Sequence, residues 1–205
     1  MPAVEAALGR FQAAHTQVVG VSVDSIYCHA AWGASLGGIS FPLLADFHPK
    51  GAVASAFGVY LEKAGIADRA TIIVDSGGSV RYAHSVTPSG KRDIEELVAE
   101  CERVDSEAGT KTVEFARPAG LEPDAVLYVR NNCGASRAVL LARENLHLGD
   151  RLPVRNVSED ASAASELERL TGGGQAPCLV SSGKPLLESA AIIAHLVEAA
   201  APPLP

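Results

Sequence analysis

The chain has 205 residues, of which 47% are hydrophobic and 20% are charged, and its formal net charge is −7. This composition predicts packed domains rather than a disordered chain, and the absence of a Lys and Arg stripe argues against nucleic-acid binding. No apolar run in the sequence reaches the length of a membrane span, and the first residues lack a signal-peptide pattern. We therefore expect a cytoplasmic protein that does not bind membranes.

The first hundred residues predict alternating helices and strands. An amphipathic helix at residues 3–14 precedes a strand, a helix, a strand, a helix, a hairpin and a long amphipathic helix. The segments that carry these later predictions are, in order, TQVVGVSVD, IYCHAAWGAS, FPLLAD, PKGAVASAFGVYL, RATIIVDSGGSVRYAHSV and KRDIEELVAECERV.

Residues 106–123 are polar, contain Gly and Pro, and interrupt this alternation, which predicts a linker between domains at 1–105 and 124–205. The second domain has the order β-α-β-α-β-β-α, which indicates a four-stranded mixed sheet with three helices, the plan of the thioredoxin fold. The first domain resembles the same plan without its first strand. The fold class is therefore predicted to be α/β, with two thioredoxin-like domains and the first incomplete at its N-terminus.

The four cysteines stand far apart in the sequence and form no C-x-x-C pair, so we expect free thiols rather than a disulfide framework. Cys101 lies on the apolar face of a predicted helix, and Cys178 lies in a predicted strand, so both are interpreted as packed residues. The histidines are dispersed, and no metal site is predicted.

Cys133 stands between a predicted strand and a predicted helix. If it begins the helix, unpaired backbone N–H groups and the helix dipole face its sulfur, and Arg130 and Arg137 add positive charge, so the pKa of the thiol is expected to fall. Ser136 occupies the place of the resolving cysteine of a dithiol enzyme, so an external thiol would have to resolve a mixed disulfide. The alternative is a buried structural cysteine.

Residues 125–198 resemble a glutaredoxin, or the similar N-terminal domain of a glutathione S-transferase, through LYVRNNCGAS, TGGGQAPCLV and KPLLESAAIIAHL. CGAS differs from the dithiol C-P-Y-C pattern and from the CGFS pattern of iron–sulfur glutaredoxins, so a monothiol site without a bound cofactor is expected, with glutathione as co-substrate. The resemblance implies the following roles: Cys133 as catalytic thiol, Arg130 as a cationic contact to glutathione, a cis Ala176–Pro177 bond that pairs with the glutathione backbone, and Glu188 and Ser189 as the site of the γ-glutamyl end.

The first half resembles the peroxiredoxins, the alkyl hydroperoxide reductase/thiol-specific antioxidant family, through VVGVSVDSIYCHAAW, FPLLADFHPKGAVASAFGVYL and DRATIIVDSGGSVRYAH. The resemblance implies that Arg69 matches the arginine that holds the peroxidatic thiolate, a task that suits a permanently charged guanidinium. By spacing, the peroxidatic cysteine would precede Met1, so peroxide reduction by the family mechanism is not expected. Cys28 is interpreted as a packed residue beside Trp32, and a role as a resolving or sensor thiol stays open.

These resemblances predict an oxidoreductase of antioxidant defence. The expected reaction is attack of the Cys133 thiolate on a glutathionylated disulfide, followed by release with a second glutathione. The alternative is a non-catalytic module whose second half binds glutathione or a protein, while the first half forms a homodimer.

Overall fold

A computed structural model describes residues 1–108 and 117–201. Contacts among the described residues divide the chain into a first unit, residues 1–29 with 41–108, and a second unit, residues 30–40 with 117–201. Among these residues, no helix is both long enough and apolar enough to cross a membrane. The middle of the predicted linker, 109–116, lies outside the described residues.

The first unit alternates short helices and strands, and its α/β character confirms the class predicted from the sequence. The residues predicted as one helix at 3–14 form two helices that meet at Ala7. The elements are α1 (Pro2–Ala6), α2 (Leu8–Ala13), β1 (Gly20–Ser22), α3 (Ile26–Ser35, whose last six residues group with the second unit), β2 (Leu43–Ala45), α4 (Ala52–Ala56), β3 (Tyr60–Leu61), β4 (Ile66–Ala67), β5 (Ala70–Val74), β6 (Val80–Ser85) and α5 (Ile94–Ala108).

Within the described part of the first unit, the strands pair two by two. Strands β1 and β2 are parallel, whereas β3 pairs with β4 and β5 with β6 in antiparallel ladders. The β5–β6 pair confirms the hairpin that the sequence predicted. The helices pack on this unit through a core that includes Phe11, Ile73, Val98 and Cys101, and burial raises the pKa of the Cys101 thiol, as expected for a packed residue.

The second unit has the predicted order of elements. They are β7 (Val126–Val129), α6 (Gly134–Asn145), β8 (Val154–Asn156), α7 (Ala161–Thr171), β9 (Cys178–Ser181), β10 (Lys184–Leu187) and α8 (Ser189–Ala200). The sheet order is β10–β9–β7–β8; β7 and β8 are parallel, and the other two pairs are antiparallel. This four-stranded mixed sheet with three helices is thioredoxin-like, as predicted.

Both ends of the segment predicted as a linker, 106–123, are ordered. Helix α5 continues through Ala108, inside the segment's first residues. At the other end, the Gly120 N–H donates to the Ala199 carbonyl at 3.0 Å, and Leu121 packs against the core of the second unit. These contacts attach the residues just before β7 to helix α8.

The core of the second unit is an apolar cluster between the sheet and helices α6 and α8. Its fully buried members include Leu127, Val139, Leu179, Ile192 and Leu196. These residues recur with strand and helix spacing, because successive side chains of a strand alternate between faces and those of a helix recur every three to four residues. The packing of this core therefore holds the ends of β7, β9 and β10 in fixed positions relative to one another.

Leu127→Ala is expected to lower the free energy of unfolding of the second unit by about 3 kcal/mol, because it removes a fully buried side chain and leaves a cavity. Leu127 is 0% exposed, whereas Val197 is 44% exposed and provides a matched control. Val197→Ala should cost less than about 0.5 kcal/mol. Urea denaturation followed by circular dichroism measures both, and equal losses in the two variants would contradict this account of the core.

The register of the sheet brings three chain segments to one edge. Cys178 at the start of β9 is paired both with Tyr128 near the end of β7 and with Leu187 at the end of β10. Helix α6 follows β7, and helix α8 follows β10 directly, so both helix N-termini lie beside the residues that precede β9. The candidate site occupies this edge.

Candidate active site

Cys133 is the N-cap residue of α6. Its backbone is extended, with a φ of −112° and a ψ of 115°, and its Sγ accepts a hydrogen bond from the Ser136 N–H at 3.5 Å. The residue is half-buried, so the sulfur sits at a helix N-terminus without being sealed in the core. The N-cap position is the one that the sequence predicted, and Cys133 is not fully buried; its reactivity stays a prediction.

Ser136 is the residue that most directly shapes the environment of this sulfur. It is 1% exposed, and its Oγ accepts a hydrogen bond from the Arg130 N–H at 3.1 Å. A hydroxyl group carries one proton and two lone pairs, so the Ser136 hydroxyl can accept from Arg130 and still donate to Cys133. The position that holds a second thiol in a dithiol enzyme thus holds a buried hydroxyl donor here.

These contacts lower the pKa of the Cys133 thiol below its ordinary value, in the direction predicted from the sequence. The hydrogen bond from the Ser136 hydroxyl has the largest effect on this pKa, followed by the Ser136 N–H, while the Ala135 N–H and the charge of Arg130 add smaller effects against the cost of desolvation. The sequence also suggested that the charge of Arg137 lowers this pKa. Its Nη1 instead lies 3.9 Å from Glu144 Oε1, and Arg137 is not among the groups that shift the pKa of Cys133.

Arg130 connects the end of β7 to the glycine-rich segment before β9. Its Nη2 donates to the Gly174 carbonyl at 3.1 Å, and its side chain is otherwise exposed at the edge of the sheet. The Ala176–Pro177 peptide bond that follows is cis, which confirms that expectation. The guanidinium and the segment leading into β9 therefore lie side by side.

Glu188 and Ser189 lie at the beginning of α8. Glu188 has a φ of 70°, and its Oε1 accepts a hydrogen bond from Gln175 Nε2 at 3.0 Å. Ser189 is the first residue of the helix and is half-buried. The register of β9 and β10 places this helix start next to Pro177. The structure therefore brings the predicted residues of the second half to one edge, and their role in binding glutathione stays a prediction.

Arg69, the candidate of the first half, is exposed immediately before β5. It has a neighbour that the sequence analysis did not single out: Arg92 donates to Thr71 Oγ1 at 2.9 Å and to the Ala70 carbonyl at 2.8 Å. Burial, and then the charge of Arg69, lower the pKa of Arg92. The signal for Arg92 was present in the sequence as a basic residue just before Asp93, whose side chain accepts a hydrogen bond in the first turn of α5.

Two family models match the chain, one in each half. Residues 1–83 match the AhpC/TSA family, and residues 127–204 match the N-terminal domain of glutathione S-transferases. Below, residues 1–83 are called the AhpC/TSA segment and residues 127–204 the glutathione S-transferase N-terminal domain, after the family models that they match.

Curated sequence relatives match the first half of the chain. Alkyl hydroperoxide reductase E of Mycobacterium tuberculosis is 42% identical over 86 residues, which are 42% of this chain and 56% of the relative. The selenocysteine-containing peroxiredoxin PrxU of Peptoclostridium acidaminophilum is 32% identical over 120 residues, covering 55% of this chain and 57% of the relative. The chain thus spans about half the length of these curated relatives.

The crystal structure of Enterococcus faecalis AhpC is 34% identical in sequence, with a TM-score of 0.47, and the match covers 54% of this chain and 68% of that chain. The similarity to the AhpC/TSA family is shown by the family model and by the sequence relatives.

The remaining cysteines differ in accessibility. In the glutathione S-transferase N-terminal domain, Cys178 is 0% exposed and burial raises the pKa of its thiol, which agrees with its interpretation as a packed strand residue. In the AhpC/TSA segment, Cys28 is exposed on α3, and Trp32 is 45% exposed. The interpretation of Cys28 as packed beside Trp32 is therefore wrong. Helix spacing placed the two side chains on one face, but that face is turned to solvent.

Within residues 1–108 and 117–201, no group of three or more His, Cys, Asp or Glu side chains could hold a metal ion. The described edge of the sheet holds a thiol, a hydroxyl, backbone N–H groups, a guanidinium and the carboxylate of Glu188. This set is suited to holding a thiolate and exchanging it with disulfides.

Proposed function

We propose that the protein is a thiol–disulfide oxidoreductase that uses glutathione at a monothiol Cys133 site. One observation carries the proposal: Cys133 Sγ lies at the start of a 12-residue helix and accepts a hydrogen bond from the Ser136 N–H at 3.5 Å, and the Ser136 hydroxyl lowers the pKa of the thiol further. These donors favour the thiolate, which is the form that attacks disulfides.

The reaction has two exchange steps. In the first, the Cys133 thiolate attacks the glutathione sulfur of a mixed disulfide, a bond forms between Cys133 and glutathione, and the substrate leaves as a thiolate that takes a proton from water. In the second, a glutathione thiolate attacks the glutathione sulfur on Cys133, which yields glutathione disulfide and restores the Cys133 thiolate. The net reaction turns one mixed disulfide and one glutathione into a free thiol and glutathione disulfide. One disulfide bond is replaced by another, so the exchange is balanced.

The bound glutathione would occupy the edge where β7, β9 and α8 meet. Arg130 would contact it as a cation, the backbone of Ala176 would pair with its peptide groups beside Pro177, and Glu188 with Ser189 would hold its γ-glutamyl end. The support for these roles is the common location of the residues and the matching family model. Backbone N–H groups at the start of α8 are suited to a carboxylate.

The AhpC/TSA segment links this chemistry to peroxide defence. A cysteine oxidised by peroxide becomes a sulfenic acid, which glutathione converts to a mixed disulfide and water. Such a mixed disulfide is the substrate that the Cys133 site would reduce. Arg69 would serve the AhpC/TSA segment as a cationic contact to a thiolate, and a homodimer through this segment is part of the same proposal.

The direct test is to trap the intermediate. The full chain is incubated with glutathione disulfide, digested without reductant, and analysed by mass spectrometry for glutathione on each cysteine peptide. The adduct is expected on the Cys133 peptide, and added glutathione should remove it. An adduct found on Cys28 with none on Cys133 would refute the proposal.

A further inference from the structure

Asn131, two residues before Cys133, connects the loop of the nucleophile to the loop that follows β8. Its Oδ1 accepts from Asn156 Nδ2 at 2.6 Å, and its Nδ2 donates to Glu159 Oε1 at 2.9 Å. Its backbone N–H donates to Ser158 Oγ at 3.1 Å. The side chain thus acts as donor and acceptor toward one loop, and the backbone adds a third contact.

The loop that receives these bonds is itself held in place. Asn156 Oδ1 accepts from the Ser158 N–H at 3.0 Å, and the Asn156 carbonyl accepts from the N–H groups of Glu159 at 3.1 Å and Asp160 at 2.9 Å. Asp160 then caps α7 by accepting from the N–H groups of Ser162 and Ala163. The loop is therefore continuous with a helix, and Asn131 is bound to an anchored surface.

Asn131 is followed by two residues of unlike backbone conformation. Asn132 has a φ of 54°, a left-handed conformation that asparagine adopts more readily than most residues other than glycine, and Cys133 is extended. Neither residue is inside a helix or a strand. With the backbone in these conformations, Ser136 N and Cys133 Sγ are 3.5 Å apart. A side chain that fixes residue 131 therefore limits where the sulfur can go.

We propose that Asn131 is a positioning residue of the Cys133 site, and that its bonds to Asn156, Ser158 and Glu159 hold the sulfur where Ser136 can donate to it. This inference rests on the proposed function, because positioning matters for catalysis only if Cys133 is the nucleophile. Asn131 acts through the loop and does not touch the reacting sulfur.

The test compares Asn131→Ala, Glu159→Ala and Glu159→Gln in the full chain, with Ser165→Ala on the exposed side of α7 as the control. Alkylation of Cys133 by iodoacetamide is followed by mass spectrometry of its peptide over a range of pH. Asn131→Ala and Glu159→Ala should move the midpoint of the pH profile of alkylation to higher pH. They should also slow alkylation at neutral pH about threefold, because less of Cys133 is present as thiolate. Glu159→Gln keeps an acceptor oxygen, so it should react no more slowly than wild type, as should the control.

The two Glu159 variants distinguish positioning from simple charge. If Glu159 acted only as an exposed negative charge, both variants would remove that charge and both midpoints would move to lower pH. A downward shift in both, or an unchanged profile in Asn131→Ala, overturns the inference. Circular dichroism and thermal unfolding check that each variant folds; if Asn131→Ala does not, the Glu159 pair decides.

The same data separate this inference from the proposed function. If Cys133 of the wild type is alkylated no faster than free cysteine at neutral pH, the proposed function fails and the positioning role fails with it. If the wild type reacts faster but Asn131→Ala matches it, only the positioning role fails.

Discussion

Cys133→Ser is expected to lower the rate of glutathione-dependent disulfide reduction by about 100-fold or more, because a neutral hydroxyl replaces the thiolate that forms the covalent intermediate. The rate is measured with a glutathionylated peptide and glutathione, with glutathione reductase and NADPH reporting the glutathione disulfide produced. Glutathione binding should persist, since the predicted contacts of Arg130, Glu188 and Ser189 do not involve this sulfur.

The matched control is Cys28→Ser, which also replaces a free thiol on a helix of the same chain. It should retain the wild-type rate. Activity that survives in Cys133→Ser and disappears in Cys28→Ser would place the reactive thiol in the first half of the chain and contradict the proposal. Binding of glutathione by both the wild type and Cys133→Ser, with turnover in neither, would support the non-catalytic module instead.

Ser136→Ala is expected to raise the pKa of the Cys133 thiol, because the hydroxyl of Ser136 is the largest of the influences that lower it. Hydrogen bonds to charged groups are stronger than those between neutral groups, but the sulfur is half-exposed and water replaces part of the loss. We expect alkylation of Cys133 at neutral pH to slow about fivefold, and its pH profile to move to higher pH.

The pKa of the Cys133 thiol is expected to rise because the hydrogen bond from Ser136 stabilises the thiolate more than the protonated thiol. The Ser136 hydroxyl donates to the thiolate, so removing it favours the protonated thiol and more alkaline solution is needed to ionise it. The rate measured far above the midpoint should stay close to that of the wild type, since the fully ionised sulfur remains accessible. An unchanged midpoint would show that the hydroxyl does not contact the thiolate in solution. Ser165→Ala again provides the control.

The fold of the second half was predictable because its signals are local. Apolar alternation at AVLYVR and the helical spacing after Cys133 predict the elements, and their order limits how four strands and three helices can pack. The N-cap position of Cys133 follows from the same boundary between strand and helix. In the first half, the residues predicted as one helix at 3–14 divide at Ala7, a boundary that no Pro or Gly marks in the sequence.

The parts that could not be predicted depend on contacts between distant segments or on which helix face is covered. The bonds from Asn131 to Ser158 and Glu159 join residues 27 and 28 positions apart, and nothing in either segment alone indicates them. Cys28 was misread because the composition of α3 does not identify the face that packs. The role of Ser136 could not be predicted from the sequence either. It depends on the hydrogen bond from the Arg130 N–H to the Ser136 Oγ, which leaves the hydroxyl proton available for Cys133.

The hydroxyl at position 136 has a consequence for how the proposed enzyme would behave in a cell. A second thiol there could close a ring with Cys133 and store an oxidised state within the chain, whereas serine cannot. Every turnover must then exchange with dissolved glutathione, and the same two steps run backwards when glutathione disulfide accumulates. The balance between the reduced and oxidised tripeptide, rather than anything in the polypeptide, would decide whether target proteins lose their glutathione or acquire it.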